Sequence, residues 1–378
     1  MKNLYISLFL LLITAFCKAQ QPQLDREKLL EFYQNQRYAE AATYLSSIYP
    51  SETNDVKILG QIAYCNMMAG QLVDAEKNYH RINELQPKQI SVLFSLANIN
   101  SRRGNNKNAI VYLQEIIALD STNFSAFKRL ADYTDSLTLK VNYLQKANKL
   151  NTTEADVAYD LAASYRKLKL FQPAYDVLKI AIGADSGNLV LQQALLPIAN
   201  QLNKYSEVVN VGERLLKNSA DANVVADVAK AYFFLKNYKK AVSLYQMLEK
   251  NDMQTESTLY FTSLSYRELK SYDQAASYAK QTITEGISPN TAAYYNLLGG
   301  IYEEKQLFTA ASKAYKKGLE YQTNKNSYYR LGLLYDLKLK QAKSALTYYN
   351  LYLKSKELDQ DDAPQIAYVK ARLSVLKR

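Results

Sequence analysis

Gly299-Gly300-Ile301-Tyr302-Glu303-Glu304-Lys305-Gln306-Leu307-Phe308-Thr309-Ala310-Ala311-Ser312-Lys313-Ala314-Tyr315-Lys316-Lys317-Gly318 is the stretch whose reading decides the fold. Its frame is Gly299, Tyr302, Phe308, Ala311, Tyr315 and Gly318, and nearly the same size pattern returns about every 34 residues. The leading position recurs as Leu29, Ala63, Ala97, Ala131, Ala162, Leu196, Ala229, Ser263, Gly299 and Gly332, at intervals of 34, 34, 34, 31, 34, 33, 34, 36 and 33. Self-similarity at this period means stacked helical hairpins, each burying its apolar face on the next, rather than one compact catalytic domain.

Identity drifts from unit to unit while size is kept. Ala162 is followed by Tyr165, Phe171, Ala174, Leu178 and Ala181; Ala229 by Tyr232, Tyr238, Ala241, Tyr245 and Leu248; Ser263 by Tyr266, Tyr272, Ala275, Ala279 and Thr282, all at the same offsets. A small residue such as Ala229 or Gly299 lets the first helix of a pair approach the second, and Ala241 or Ala311 receives it from the other side. A leucine at Ala241 or Ala311 would overpack one hairpin, at a cost of roughly 1 to 3 kcal/mol. Tyrosine suits the remaining positions of a thin, two-layer structure, because its ring buries apolar area while the hydroxyl reaches the solvent edge. The 33 tyrosines therefore need no cofactor to explain them.

The pattern resembles the tetratricopeptide-repeat family, whose units are helix-turn-helix hairpins of 34 residues. Gly299 to Gly318, preceded by Tyr295 and Leu298, is the nearest unit, and Ala162 to Ala181 and Ala229 to Leu248 follow it well. The unit near Ser125 is three residues short, the family's proline near the end of the unit survives clearly only as Pro87, and tryptophan is absent. The resemblance implies an all-α, right-handed superhelical solenoid of about ten hairpins. Residues 20–362 are expected to form that array as one domain, and residues 363–378 a C-terminal capping helix with Ile366, Val369, Leu373 and Leu376 on one face and Lys370, Arg372 and Lys377 opposite.

Seven prolines and eleven glycines are few for 378 residues, and Gly70, Gly104, Gly183, Gly187 and Pro289 are expected between helices. Pro197 is the exception. By register it falls in the middle of a first helix, where it removes a backbone hydrogen bond and bends the array, unless the helix starts late and Pro197 belongs to its first turn.

Residues 1–19 read as an export signal. Lys2 and Asn3 precede an apolar run from Leu4 to Phe16, too short to span a bilayer, which takes about 20 apolar residues, and Cys17-Lys18-Ala19 places cleavage before Gln20. An uncleaved anchor is the competing reading, and Phe16 argues against a lipoprotein, whose signal resembles this one but wants a small residue before the cysteine. The Ala-Gln junction resembles exported proteins of Gram-negative bacteria of the Bacteroidota type, so the expected location is the periplasm, with or without association with the outer membrane. Removal of the leader takes Lys2 and Lys18 from a formal charge of +11, leaving +9, and leaves Cys65 as the one cysteine, so no disulfide can form within the mature chain. A buried, inert thiol is expected there, among Ala63, Met67 and Met68.

Lysines gather as Lys236, Lys239 and Lys240, as Lys313, Lys316 and Lys317, and as Lys338, Lys340 and Lys343, but no run reaches the length of a nucleic-acid tail. Solvated helix faces account for them, and for an exported chain an anionic envelope component is a more natural partner than nucleic acid. The single histidine, His80, cannot complete a metal set or a Ser/His/Asp arrangement, and no Gly-rich phosphate loop or Gly-x-Ser-x-Gly elbow occurs. Pairs such as Glu303 with Glu304 and Asp361 with Asp362 are those a charged helix surface carries. No enzyme activity, metal or cofactor is expected.

In the resembled family the first helix of each hairpin lines a concave surface. Projected onto this chain, that implies a binding face of Tyr64, Met67, Phe94, Asn98, Arg102, Lys128, Tyr159, Arg166, Lys230, Phe233, Phe234, Tyr260, Arg267, Asn296 and Tyr329, with Gln193 and Asn200 in the same projection. The mixture of aromatic, amide and basic groups suits a peptide whose carboxylates meet arginine or lysine and whose apolar anchors meet phenylalanine and tyrosine. Of Phe233 and Phe234, adjacent on one helix, one is expected in the core and one at the surface. The lysine and asparagine carboxylate clamp of the family's chaperone-binding members is not recognisable, since Lys128 is followed by Asp132. Three functions compete: an envelope scaffold binding a protein partner through this face, an accessory protein binding glycan or lipid headgroups through basic surface, and an enzyme with an unrecognised site.

Overall fold

Asp25, Asp55, Asn123, Asn188, Asp221, Thr255 and Asn324 each turn a side-chain oxygen onto backbone N–H groups one turn ahead, and each thereby starts the first helix of a hairpin. The computed structural model describes residues 24–217, 220–285 and 288–377, and within them twenty-one α-helices and no strand. The leader read at residues 1–19 lies outside the described residues.

Ten hairpins follow one another. They are α1 (Arg26–Gln34) with α2 (Tyr38–Ile48), α3 (Val56–Met68) with α4 (Leu72–Leu85), α5 (Ile90–Arg102) with α6 (Asn106–Leu119), α7 (Phe124–Tyr133) with α8 (Leu137–Leu150), and α9 (Ala155–Lys167) with α10 (Phe171–Ala184). Then come α11 (Leu189–Gln201) with α12 (Tyr205–Leu216), α13 (Ala222–Phe234) with α14 (Tyr238–Lys250), α15 (Glu256–Glu268) with α16 (Tyr272–Thr284), α17 (Thr291–Glu304) with α18 (Phe308–Tyr321), and α19 (Lys325–Leu333) with α20 (Ala342–Leu353). A last helix, α21 (Ala363–Leu376), closes the series. The chain divides into two compact units, Met1–Leu170 with Lys179–Asp185, and Phe171–Leu178 with Ser186–Arg378. Within each, a helix packs on its hairpin mate and on the adjoining hairpin, so the core is a series of local clusters, each shared by adjacent hairpins.

All ten leading positions, Leu29 through Gly332, are buried. Their partners lie on the second helix, and the two sizes are complementary. A Cβ on Gly299 would stand 2.6 Å from the Tyr315 ring, and one on Gly332 would stand 2.4 Å from that of Tyr349. In the hairpin of α11 and α12 the first helix carries Leu196 and the second Gly212; a Cβ on Gly212 would stand in ordinary contact, 3.7 Å, with the leucine Cδ1 and would collide with Val228 of α13. At Gly299 and Gly332 a ring fills the space that the glycine leaves, as close-packed interiors require.

Nine hairpins turn through the same backbone device. A residue at positive φ follows the first helix, namely Gln36, Gly70, Gly104, Lys169, Asn203, Lys236, Lys270, Gln306 and Lys340, and the next N–H returns to a carbonyl in the helix's last turn, as in Asn237 N to Tyr232 O at 2.9 Å. The α7–α8 hairpin lacks this turn. The three residues missing from its repeat come out of its first helix, 10 residues long where α3, α5 and α9 have 13, and it passes to α8 through extended Thr134 and a Ser136 cap.

Pro197 lies inside α11, which is continuous from Leu189 to Gln201, so the first-turn reading is excluded and the Gln193 carbonyl loses its helical donor. Gly183, expected between helices, belongs to the last turn of α10, where nothing crowds its absent Cβ. Arg372 was placed on the solvent side of α21. It instead reaches inward and makes a two-pronged ion pair with Asp336, Nε and Nη2 each 2.8 Å from a carboxylate oxygen, and Tyr349 Oη donates to the same carboxylate at 3.1 Å. Asp336 reaches that position from a π turn, Leu334–Lys338, that ends the first helix of the last hairpin. Val369 and Leu373 are buried beside it, with Ile366 and Leu376 packed on the cluster.

Candidate functional site

The fifteen residues of the projected face all keep some solvent exposure, whereas Asn200, in the same projection, is buried and turns its amide onto Asp227, 2.9 Å from Oδ1. Its side chain ties two hairpins and is no part of a surface. Several of the exposed cations are engaged in the same way. Lys128 Nζ lies 2.9 Å from Asp156 and 3.6 Å from Glu154, and the bond to Asp156 raises its pKa. Arg267 pairs through Nε and Nη2 with Glu304 of the following first helix, which likewise raises its pKa. Arg102 Nη1 donates to the Met67 carbonyl at 2.9 Å. Arg102 and Arg166 are both exposed, and of the three arginines of the face only Arg267 makes an ion pair with a carboxylate among the described residues.

The amides and outlying aromatics are also partly spoken for. Asn296 Oδ1 accepts from Ser327 Oγ at 2.8 Å, Tyr329 leans on the Tyr352 ring, Tyr64 meets Tyr38 edge to face, and Phe94 lies under the Arg129 guanidinium. Tyr159 is exposed, and Asn98 is half-buried.

In the second unit the aromatics converge. Phe234, 42% exposed, stacks on Tyr205 with ring centroids 4.7 Å apart and meets Phe261 edge to face at 5.9 Å. Phe233 is half-buried between Phe261 and Tyr238 and packs on the core, so of this adjacent pair one ring supports and the other is presented. Tyr260 continues the row, 5.7 Å from Phe261 and 5.2 Å from Tyr294, and the Lys230 ammonium sits 5.4 Å over the Phe261 ring. Burial raises the Tyr260 pKa, keeping the phenol protonated as a donor. The result is a contiguous aromatic strip with one cation on it, carried by the first helices α13, α15 and α17 and, through Tyr205, by the start of α12.

Phe261 and Tyr205 complete this strip and were not in the projected set. Phe261 follows Tyr260 as Phe234 follows Phe233, a doublet the sequence offers; Tyr205 opens a second helix, which a first-helix projection cannot reach.

Two open cavities lie elsewhere. One of about 610 Å³ is bounded by α2, α3 and α4 and lined by Ser46, Tyr49, Leu59, Asn66, Gln71 and Asn78 among others; one of about 390 Å³ is lined by Glu213, Val228, Tyr232, Lys240 and Leu244 with their neighbours. Neither includes a residue of the projected face. His80 is exposed with Nε2 3.5 Å from the Tyr112 hydroxyl, and Cys65 is buried with its thiol pushed up by burial. Among the described residues no three His, Cys, Asp or Glu side chains come together to hold a metal ion, and no helix is long and apolar enough to cross a membrane.

Paired helices repeated ten times define an all-α helical-repeat protein. Residues 292–325 match the family model of the tetratricopeptide repeat. No curated protein sequence matches the chain. Among solved structures it is similar to a tetratricopeptide repeat protein from Parabacteroides merdae, at 15% identity over 75% of this chain and 99% of that one, with a TM-score of 0.37. It is also similar to MamA, at 19% identity over 53% and 97% with a TM-score of 0.37, and to YrrB, described as having an unusual peptide-binding site, at 11% identity over 43% and 86% with a TM-score of 0.37.

Proposed function

We propose that the protein is a non-catalytic exported scaffold that holds a protein or peptide partner on its first-helix face, centred on the aromatic strip of Phe234, Phe261 and Tyr260 with Lys230. The observation that carries this is the Phe234 ring, presented to solvent on a rigid platform of Tyr205, Phe233 and Phe261. Large rings already fixed by neighbours lose little entropy on binding, and aromatic anchors of this kind dominate interface energetics. A peptide with apolar side chains and a carboxylate near Lys230 fits the strip's chemistry.

The apolar leader from Leu4 to Phe16 supports export, which puts the partner in the cell envelope. The scaffold reading is tested by recovering partners from an envelope extract with the chain and with Phe234→Ala/Tyr260→Ala. Loss of a recovered protein from the variant, with helicity unchanged, is the expected result; equal recovery removes the strip from the site. Fractionation of cells expressing the whole sequence tests export, and retention of the uncleaved chain in the cytosol contradicts it.

A further inference from the structure

Three of the five turns that join the helices of a hairpin in the second unit carry lysine where the backbone asks for glycine. Lys236, Lys270 and Lys340 hold φ of 62°, 59° and 54°, a conformation taken at the corresponding turns of the first unit by Gln36, Gly70, Gly104 and Lys169. A side chain in that region is disfavoured by about 1 kcal/mol or more relative to glycine, and the three lysines nevertheless recur at each such site but those of Asn203 and Gln306. Each is exposed, and none makes an ion pair.

Leucines stand beside them. Leu235 beside Lys236, Leu307 beside Gln306 at the turn between, and Leu337 three residues before Lys340 are 43%, 45% and 41% exposed. The turns are neighbours: Tyr205 stacks on Phe234, Lys305 pairs with Asp273, and the Lys338 ammonium lies 5.4 Å over the Phe308 ring, each contact joining one hairpin's turn to the next. The acids along this edge are largely consumed. Glu304 is held by Arg267, Asp273 by Lys305, Asp336 by Arg372, Glu207 by the Tyr175 hydroxyl, and Glu303 by Tyr315 and Arg330, which leaves Glu268. What faces solvent is a row of free lysines interleaved with half-exposed leucines.

We propose that this edge of the second unit docks on an anionic lipid surface, the lysines reaching the headgroup phosphates and Leu235, Leu307 and Leu337 entering the headgroup boundary. An edge of protruding turns suits a flat surface as it does not suit a peptide, and alternating short apolar and basic groups are what interfacial binding uses. The inference is independent of the scaffold reading, which rests on a different set of side chains.

Sedimentation with vesicles tests it, using the chain from Gln20 onward, which keeps every described residue. The chain binds vesicles containing equal parts of phosphatidylglycerol and phosphatidylcholine and not those of phosphatidylcholine alone, and binding falls as salt rises from about 0.1 M to about 1 M, where the Debye length shrinks from about 10 Å to about 3 Å. Lys236→Gly/Lys270→Gly/Lys340→Gly keeps the turns in a backbone that glycine adopts freely, so it folds, and it lowers partitioning by about fivefold per lysine, on the order of a hundredfold in all. Leu235→Gln/Leu307→Gln/Leu337→Gln lowers it on the order of tenfold with all charges in place. A matched control, Lys250→Gln/Lys280→Gln/Lys313→Gln, removes three charges from second helices and retains binding within about twofold. Equal losses in edge and control variants, or no binding of the parent chain to the anionic vesicles, overturns the proposal. Binding that the leucine variant leaves unchanged does so as well, and points to an acidic polymer instead.

Discussion

Gly299 exists because of Tyr315. A Cβ at that position would stand within 3 Å of three ring atoms, which the ring can relieve only by leaving its place between the helices. Gly299→Ala is therefore expected to cost about 1 to 3 kcal/mol in thermal or urea unfolding, and Tyr315→Leu introduced with it to recover part of that loss, because the two residues share one volume. Independent, additive effects would show that they do not. The same logic makes Ala311→Leu destabilising by about 1 to 3 kcal/mol. At Asp336 the control is electrostatic. Hydrogen bonds from Arg372, opposed by burial, hold its carboxyl below the ordinary carboxylate pKa of about 3.9. A depressed folded-state pKa stabilises above the unfolded value and is lost as pH falls through the folded one, so the seating of α21 weakens in acid below about pH 4. Proteolysis of the C-terminal helix should accelerate there in the parent chain, and in Arg372→Ala already at neutral pH; equal rates for the two at pH 7 would show that the pair does not seat the helix.

At the level of elements, what the sequence shows well is what recurs. The ten leading positions were legible because packing between paired helices admits few sizes, and each sits buried where the period puts it. The polar ties were not legible. Whether Lys128 or Arg267 faces solvent depends on the residue some 28 to 37 positions later, on a neighbouring hairpin whose rotation no periodicity reports. Arg372 was misplaced for a related reason: the π turn at Leu334–Lys338 re-aims Asp336 towards α21, and nothing in a regular helical projection announces it. The three-residue deletion near Ser125 was visible, but its consequence, a shortened α7 without the left-handed turn, was not. Those turns give a further expectation. Lys236→Gly relieves the left-handed strain and adds chain entropy to the unfolded state, so stability should change by less than about 1 kcal/mol, measured by thermal unfolding. A larger loss would mean that the Lys236 side chain holds the turn.

For the molecule as a whole, the repeat accounts for the helices, the tyrosines and the local cores, and those residues are spent on packing. Function falls to the side chains that differ between units. Two of the five charged members of the first-helix face, Lys128 and Arg267, are already ion-paired with a neighbouring hairpin, and the aromatic strip of the second unit is the surface on which the proposed partner is placed. Its chemistry could be read only in part from the sequence: Phe233, Phe234, Tyr260 and Lys230 fell within one projection, while the platform under Phe234 needed Tyr205, from a second helix. The most direct test is hydrogen exchange of the chain with and without a protein recovered on it. Slowed exchange in α13 and α15 around Phe234 and Tyr260, absent in Phe234→Ala/Tyr260→Ala, is the predicted result. Slowed exchange confined to second helices such as α14 and α16, and unchanged in the variant, would contradict it.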